Sequence, residues 1–288
     1  PYYPRQFKVD NLKTQLSHSG FTFIEGDINN TSILNSLPDD IDTVVHLAAK
    51  TGVRPSIADP QGYITANVVG TQSILDMMHK KGITKMVFAS SSSVYGNNPK
   101  VPFSETDNVD NPISPYAAAK KSAELINHVF HHLYDFNIIN LRFFTVFGPR
   151  QRPDLVIYKF VEQIMCNKPI TLFGDGSTSR DYTYVTDTVQ GIFSSIEYLD
   201  RHSNVLETIN IGNSNPVPLI DLANTIYGLL NSEPDIHYKA MQEGDVNVTF
   251  ADIEKAGKLL NYKPATTLKT GIENFINWYR TERQNAHS

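Results

Sequence analysis

Short apolar runs alternate with stretches of helical periodicity through the first half of the chain. Thr22-Phe23-Ile24, Thr43-Val44-Val45-His46-Leu47, Lys85-Met86-Val87-Phe88-Ala89 and Ile138-Ile139-Asn140-Leu141-Arg142-Phe143 are predicted strands. Helices are predicted over Phe7–Leu16, Tyr63–Lys80 and Tyr116–Tyr134. Strands alternating with helices call for an α/β fold with a doubly wound parallel sheet. Small or polar residues follow the strands: Gly26-Asp27-Ile28, Ala48-Ala49 and the run Ser90-Ser91-Ser92-Ser93. In an open α/β sheet the ligand crevice lies outside the carboxyl ends of the strands, so the candidate chemistry gathers on one edge.

From about Pro149 the pattern loosens. Pro153, Pro169, Pro216, Pro218, Pro234 and Pro264 punctuate it. Residues 1–148 are expected to form a dinucleotide-binding domain, and 149–288 a smaller α/β substrate domain. About 182–212 of the latter is expected to return to the first sheet, through the strand Glu207–Ile211. A dinucleotide fold opens with strand, glycine-rich turn and helix. No G-x-G-x-x-G occurs here, and Gly174-Asp175-Gly176 comes too late. The first βαβ unit is therefore expected to be missing from this chain.

Composition narrows the function without naming it. The 288 residues are 40% hydrophobic and 19% charged, with a net charge of −5, so bulk electrostatics do not suggest a nucleic-acid partner. The single cysteine, Cys166, excludes an internal disulfide framework and fits a reducing compartment. No apolar run reaches membrane-spanning length and no signal peptide opens the sequence, so a cytoplasmic location without membrane contact is expected. His128, His131 and His132 share one predicted helix. No carboxylate or cysteine accompanies them in motif form, so no metal is expected.

The chemistry is concentrated in Ser114-Pro115-Tyr116-Ala117-Ala118-Ala119-Lys120. Ser114 suits an N-cap and Pro115 the first helical position. Tyr116 and Lys120 are then four apart on one helix face. An ammonium held there favours the phenolate and brings the tyrosine pKa towards neutrality, where it serves as a general acid or base. The spacing alone also fits an ordinary exposed helix start; the surrounding motifs decide.

Those motifs are Gly26-Asp27-Ile28, His46-Leu47-Ala48-Ala49, Asn67-Val68-Val69-Gly70-Thr71, Ser90–Gly96, Tyr116/Lys120, Arg142-Phe143-Phe144-Thr145-Val146-Phe147-Gly148-Pro149, Arg180-Asp181-Tyr182 and Glu243-Gly244-Asp245. In this order over nearly the whole chain, the sequence resembles the extended short-chain dehydrogenase/reductase family and its nucleotide-sugar 4-epimerases. Within these, Leu141–Pro149 with Arg152-Pro153-Asp154, and Met241-Gln242-Glu243-Gly244-Asp245-Val246, look most like the UDP-glucuronate 4-epimerases. Gln242 stands where many galactose-type members carry arginine.

The resemblance implies a Rossmann-like fold, NAD as cofactor, a UDP-sugar substrate and a homodimer. The dimer would pair the Tyr63–Lys80 and Tyr116–Tyr134 helices, which carry Met77, Met78, Val129 and Phe130 beyond one core face. It implies Tyr116 as catalytic base, Lys120 on the nicotinamide ribose and Ser91 on the sugar O4. Asp27 and Ile28 would flank the adenine. Leu47, Ala48, Ala49 and Lys50 would line the cofactor path, supported by Asn67, Ser90 and Phe143. Ser92, Ser93, Thr145 and Arg152 would read the sugar, Arg180 would clamp the diphosphate and Asp245 would hold the uridine ribose. Plainer readings stand beside these: Asp27 as a turn residue, and Arg152 and Arg180 as solvated charges.

The serine loop separates related reactions. Family dehydratases carry Asp-Glu at the positions of Ser92 and Ser93, and UDP-glucuronate decarboxylases carry Glu at that of Ser93. Without an acid there, elimination or decarboxylation lacks a positioned proton donor. The expected activity is NAD-dependent interconversion of UDP-glucuronate and UDP-galacturonate. UDP-glucose or UDP-N-acetylglucosamine 4-epimerisation is the alternative, and a non-catalytic nucleotide-sugar-binding protein the further one.

Overall fold

The computed structural model describes residues 3–240 and 246–283. Helices α1 (Arg5–Leu16) and α2 (Thr31–Asn35) precede strand β1 (Thr43–His46). Helices α3 (Val53–Ala58), α4 (Pro60–Ile64) and α5 (Gly70–Lys81) lead to β2 (Lys85–Ser91), and α6 (Pro115–Tyr134) to β3 (Asn137–Phe143). The order continues β4 (Thr145–Phe147), α7 (Val156–Met165), β5 (Ile170–Phe173), β6 (Ser179–Tyr184), α8 (Val185–Arg201), β7 (Leu206–Ile211). It ends β8 (Pro216–Pro218), α9 (Leu219–Leu230), β9 (Ile236–Lys239), α10 (Glu254–Leu260) and α11 (Leu268–Trp278).

Four strands form a parallel sheet in the order β1-β2-β3-β7. Its central strands are apolar on both faces because helices cover both. Met86, Phe88 and Ile138 pack with Leu75 and Met78 of α5 and Phe130 of α6. The alternate residues Val87, Ile139 and Leu141 pack with Leu199 of α8 and Leu260 of α10. Each such fully buried side chain contributes about 1.5–3 kcal/mol relative to exposure. A second core gathers α7, α9 and α11 around Phe147, Tyr158, Tyr182, Leu222 and Phe275. Short sheets β4-β6-β8 and β5-β9 frame it.

Helix α6 starts where its sequence dictates: the Ser114 hydroxyl accepts from the Ala117 amide at 3.1 Å, and Pro115 needs no amide partner. It stops at Asp135, in the left-handed conformation with φ 55°. The predicted Tyr63–Lys80 helix is interrupted: a π-helical turn, Thr65–Val69, separates α4 from α5.

One predicted strand is corrected. Residues 21–27 contain no strand, and Phe23 and Ile24 are exposed. A strand is a ladder of inter-strand hydrogen bonds, and no described strand forms such a ladder with this segment; its apolar residues record a strand-like composition without a neighbouring strand.

Candidate active site

The parallel register brings the carboxyl ends of three strands together: His46 lies beside Phe88, and Ser91 beside Phe143. Tyr116 and Lys120, one turn apart at the start of α6, are both buried. The Tyr116 ring meets Tyr63 edge-on at 6.1 Å between centroids. Lys120 is only 3% exposed. Its Nζ donates to the Ala89 carbonyl at 2.5 Å and stands 4.9 Å from the Phe88 ring centroid. Burial lowers its pKa to about 8, against the opposing charge of Glu124.

The serine run divides its work. Ser90 is turned inward, its hydroxyl donating to Glu124 at 2.5 Å. Ser91 caps the 3-10 turn Ser92–Tyr95, its Oγ accepting from the Ser93 amide at 3.2 Å. Ser92 and Ser93 line a cavity of about 170 Å³ with Ser114, Thr145, Arg180 and Thr249. Thr145 and Arg180 also line a second cavity, of about 400 Å³, with Arg54, Lys159, Phe173 and Tyr182. A small hydroxyl-rich chamber thus adjoins a larger one rich in cations.

Asn67 sits in the π-helical turn and is buried. It holds the main chain of Lys50 with both ends of its amide. Lys50 extends to Asp59 at 2.5 Å. Leu47 and Ala48 are exposed at the end of β1. Behind them His46 is buried, and burial, with the nearby Lys120 charge, holds its pKa at about 4. Its Nε2 lies 3.1 Å from Thr71 Oγ1, which donates its own proton to the Asn67 carbonyl. His46 must therefore donate through Nε2.

Asp27 is exposed and takes part in a turn, its Oδ1 accepting from the Asn29 amide at 2.8 Å. Ile28 packs so closely on Gly70 that an added Cβ would lie 2.5 Å from its Cδ1. If a dinucleotide binds, the residues that would hold it are Asp27 and Ile28 at one end and Tyr116 and Lys120 at the other. A glycine turn for the diphosphate between them is not in this sequence.

Arg152 lines neither cavity, but it pairs with Asp154, which lines the larger. Its Nη1 donates to the Thr51 hydroxyl, and its Nη2 pairs with Asp154 at 3.1 Å. Asp245, with the rest of residues 241–245, lies outside the described residues. Sequence reasoning missed Arg54, whose guanidinium stands 5.7 Å from the Phe173 ring centroid across the larger cavity. It also missed Glu124, although Tyr116, Lys120 and Glu124 repeat at four-residue spacing and so share a face.

A family model described as GDP-mannose 4,6 dehydratase matches residues 4–275. The UDP-glucuronate 4-epimerase of Thermodesulfobacterium geofontis is 40% identical over 278 residues, covering 95% of this chain and 83% of that protein. Among solved structures, UDP-glucuronic acid 4-epimerase from Bacillus cereus, in complex with UDP-glucuronic acid and NAD, aligns with a TM-score of 0.90 and 36% identity, covering 96% of this chain and 87% of its own. A UDP-N-acetylglucosamine 4-epimerase from Methanobrevibacter ruminantium, in complex with UDP-N-acetylmuramic acid, aligns with a TM-score of 0.86 and 32% identity, covering 92% and 86%.

Proposed function

Because the chain belongs to the extended short-chain dehydrogenase/reductase family, in the group that the GDP-mannose 4,6 dehydratase model describes, we propose that it is the NAD-dependent 4-epimerase of UDP-glucuronate, forming UDP-galacturonate through a 4-keto sugar. The observation that carries this reading is the smaller cavity. Ser92, Ser93, Ser114, Thr145 and Thr249 supply hydroxyls and Arg180 a positive charge, and no carboxylate is among its described lining residues. Such a chamber accepts a sugar carboxylate by hydrogen bonding.

Bound NAD would accept the C4 hydride and return it to the other face. Tyr116 takes the O4 proton as the hydride leaves and gives it back on return. Lys120 supplies the positive charge beside it and holds the nicotinamide ribose. Ser91 hydrogen-bonds O4. Arg180, at the junction of the two cavities, meets the diphosphate, and Asp245 holds the uridine ribose. A 4-keto uronate is a β-keto acid and loses CO₂ readily, so the serine and threonine hydroxyls grip the carboxylate without offering a strong acid.

The homodimer belongs to the same proposal, with its surface revised. Met77, Met78 and Phe130 are core residues. The exposed apolar stripe on α6 is Leu125, Val129 and Leu133, at 55%, 47% and 59% exposure, with Ile64 and Val69 exposed on the preceding helical segment. This stripe suits a second copy, which light scattering would register as a doubled mass. Among the described residues no helix is long and apolar enough to cross a membrane, and a cytoplasmic location completes the proposal. The deciding experiment follows UDP-glucuronate, NAD and the purified chain by proton NMR. UDP-galacturonate is expected. Faster turnover of UDP-glucose or UDP-N-acetylglucosamine would replace the uronate assignment with a neutral-sugar one.

A further inference from the structure

None of the steps above uses the ion pair between Glu124 of α6 and Arg142 of β3. The pair is bidentate: Arg142 Nε donates to Glu124 Oε1 at 3.0 Å, and Nη2 to Oε2 at 2.9 Å. Both side chains are about 95% buried. A buried pair of this kind contributes little net stability, because desolvation offsets the attraction. Its value lies in what it orients.

Two further hydrogen bonds leave the pair, and they reach opposite ends of one segment. At the near end the Ser90 hydroxyl donates to Glu124 Oε1 at 2.5 Å. At the far end Arg142 Nη1 donates to the Tyr95 hydroxyl at 3.1 Å, with the guanidinium carbon 4.9 Å from the ring centroid. Tyr95 passes its own proton to Asn210 Oδ1 on β7 at 2.7 Å. Between these ends lie Ser91, Ser92 and Ser93. Ser92 and Ser93 face the smaller cavity, and the Ser91–Ser93 hydroxyl contact, at 3.2 Å, is longer than the ordinary hydroxyl hydrogen bond.

We infer that Glu124 and Arg142 are positioning residues that clamp the serine turn at both ends, through Ser90 and Tyr95, and so fix the hydroxyls that hold the sugar. The kinetic consequence rests on the 4-epimerase reading; the structural one does not. In the 4-keto uronate, a sugar ring free to change its pucker can bring the C5–C6 bond, with its carboxylate, perpendicular to the C4 carbonyl plane. That bond then breaks, CO₂ leaves, the electron pair passes into the C4–C5 enolate, and a proton from water at C5 completes the 4-ketopentose. A rigid serine turn that holds the carboxylate opposes this change of pucker.

The test removes the tethers and leaves the ion pair. Tyr95→Phe and Ser90→Ala are compared with wild type by hydrogen–deuterium exchange of the amides of residues 91–96 and by kinetics on UDP-glucuronate with NAD. Both variants are expected to fold, and the 91–96 amides to exchange about tenfold faster in each, as for the loss of one buried hydrogen bond. Tyr95→Phe is expected to lower kcat on the order of tenfold with KM changed less than about threefold, and to raise the share of decarboxylated product. Unchanged exchange at 91–96 in both variants overturns the clamp, as does equal acceleration across β2 and α6, which marks general loosening. If the exchange result holds while wild type turns over no UDP-glucuronate, the clamp stands and the proposed function falls.

Discussion

The side-chain amide of Asn67 closes a two-bond ring on the main chain of Lys50. Its Oδ1 accepts from the Lys50 amide at 2.8 Å, and its Nδ2 donates to the Lys50 carbonyl at 2.9 Å. The residue that follows β1 and its exposed Leu47-Ala48 step is thereby fixed by a residue in a π-helical turn, the irregular element in which functional residues often sit. Lys50 itself is half-buried, so both of its main-chain groups need a partner, and one side chain supplies it.

Asn67→Ala deletes both bonds and leaves a peptide unit unpaired. The expected cost is about 1–3 kcal/mol of unfolding free energy in urea titration, with weaker NAD binding by calorimetry. Asn67→Asp is expected to fare no better, because a carboxylate cannot donate to the Lys50 carbonyl. A variant with wild-type stability and NAD affinity would show that the ring positions nothing.

His46 gives the fold an acid-sensitive point. Its pKa is depressed from 6.5 to about 4 by burial and then by the Lys120 charge. The unfolded chain therefore binds a proton between pH 6.5 and 4 that the folded chain refuses. Stability rises with pH through that window and is lost as pH falls. The shift corresponds to roughly 3 kcal/mol. His46→Gln keeps an Nε2 donor towards Thr71 and removes the titration. Its stability is expected to fall less steeply than that of wild type between pH 6.5 and 4 in urea unfolding. Parallel curves would remove His46 as the cause.

The sheet was legible because its signal is local. Thr43–Leu47, Lys85–Ala89 and Ile138–Phe143 are apolar runs bounded by polar residues, and each strand is found within two residues of those bounds. The Tyr116 helix was legible through its cap and its proline. The π-helical turn was not, since Thr65–Val69 reads as continuous helix and only the pull of Lys50 on Asn67 marks it. Thr22–Ile24 was misread because composition cannot say whether a strand has a neighbour. Arg142 was taken as one letter of a motif; its meaning depends on Glu124, eighteen residues away in sequence and joined only by the pairing of α6 with the sheet.

The buried ammonium of Lys120 gives a second pH signature of the same origin and the same sign. Its pKa falls from 10.5 to about 8, through burial and against the opposing charge of Glu124. Between pH 8 and 10.5 the unfolded chain keeps a proton that the folded chain sheds, so stability contributed by this site rises with pH. Relative to Lys120→Met, wild type is expected to gain on the order of 2–3 kcal/mol across that window. Denaturant titrations of both proteins at pH 7 and pH 10 measure the difference, and a constant gap would contradict the assigned burial.

Tyr116→Phe retains the ring that meets Tyr63 and removes the hydroxyl proposed to move the O4 proton. Turnover of UDP-glucuronate is expected to fall about a hundredfold to ten-thousandfold, the usual range for a lost general acid or base. KM and melting temperature are expected to hold. Near-wild-type kcat would assign the proton transfer elsewhere.

On the proposed function, carboxylate selection is expected to divide unequally between Thr145 and Arg152. Thr145 lines both cavities, beside Ser92, Ser93 and Arg180 in the smaller. Arg152 lines neither and is engaged with Thr51 and with Asp154 in the wall of the larger cavity. A hydrogen bond to a charged group is worth about 1.5–3 kcal/mol, or roughly tenfold to a hundredfold in a rate ratio. Thr145→Val keeps the side-chain shape and removes the hydroxyl, so the kcat/KM preference for UDP-glucuronate over UDP-glucose is expected to drop by that factor. Arg152→Ala is expected to move the same ratio less than about threefold, because its guanidinium is partly exposed and already paired. Measuring both substrates side by side in wild type and the two variants settles the division. A larger loss in Arg152→Ala than in Thr145→Val would mean that the arginine swings from Asp154 onto the sugar carboxylate, and would move the specificity determinant from the chamber wall to the rim of the cleft.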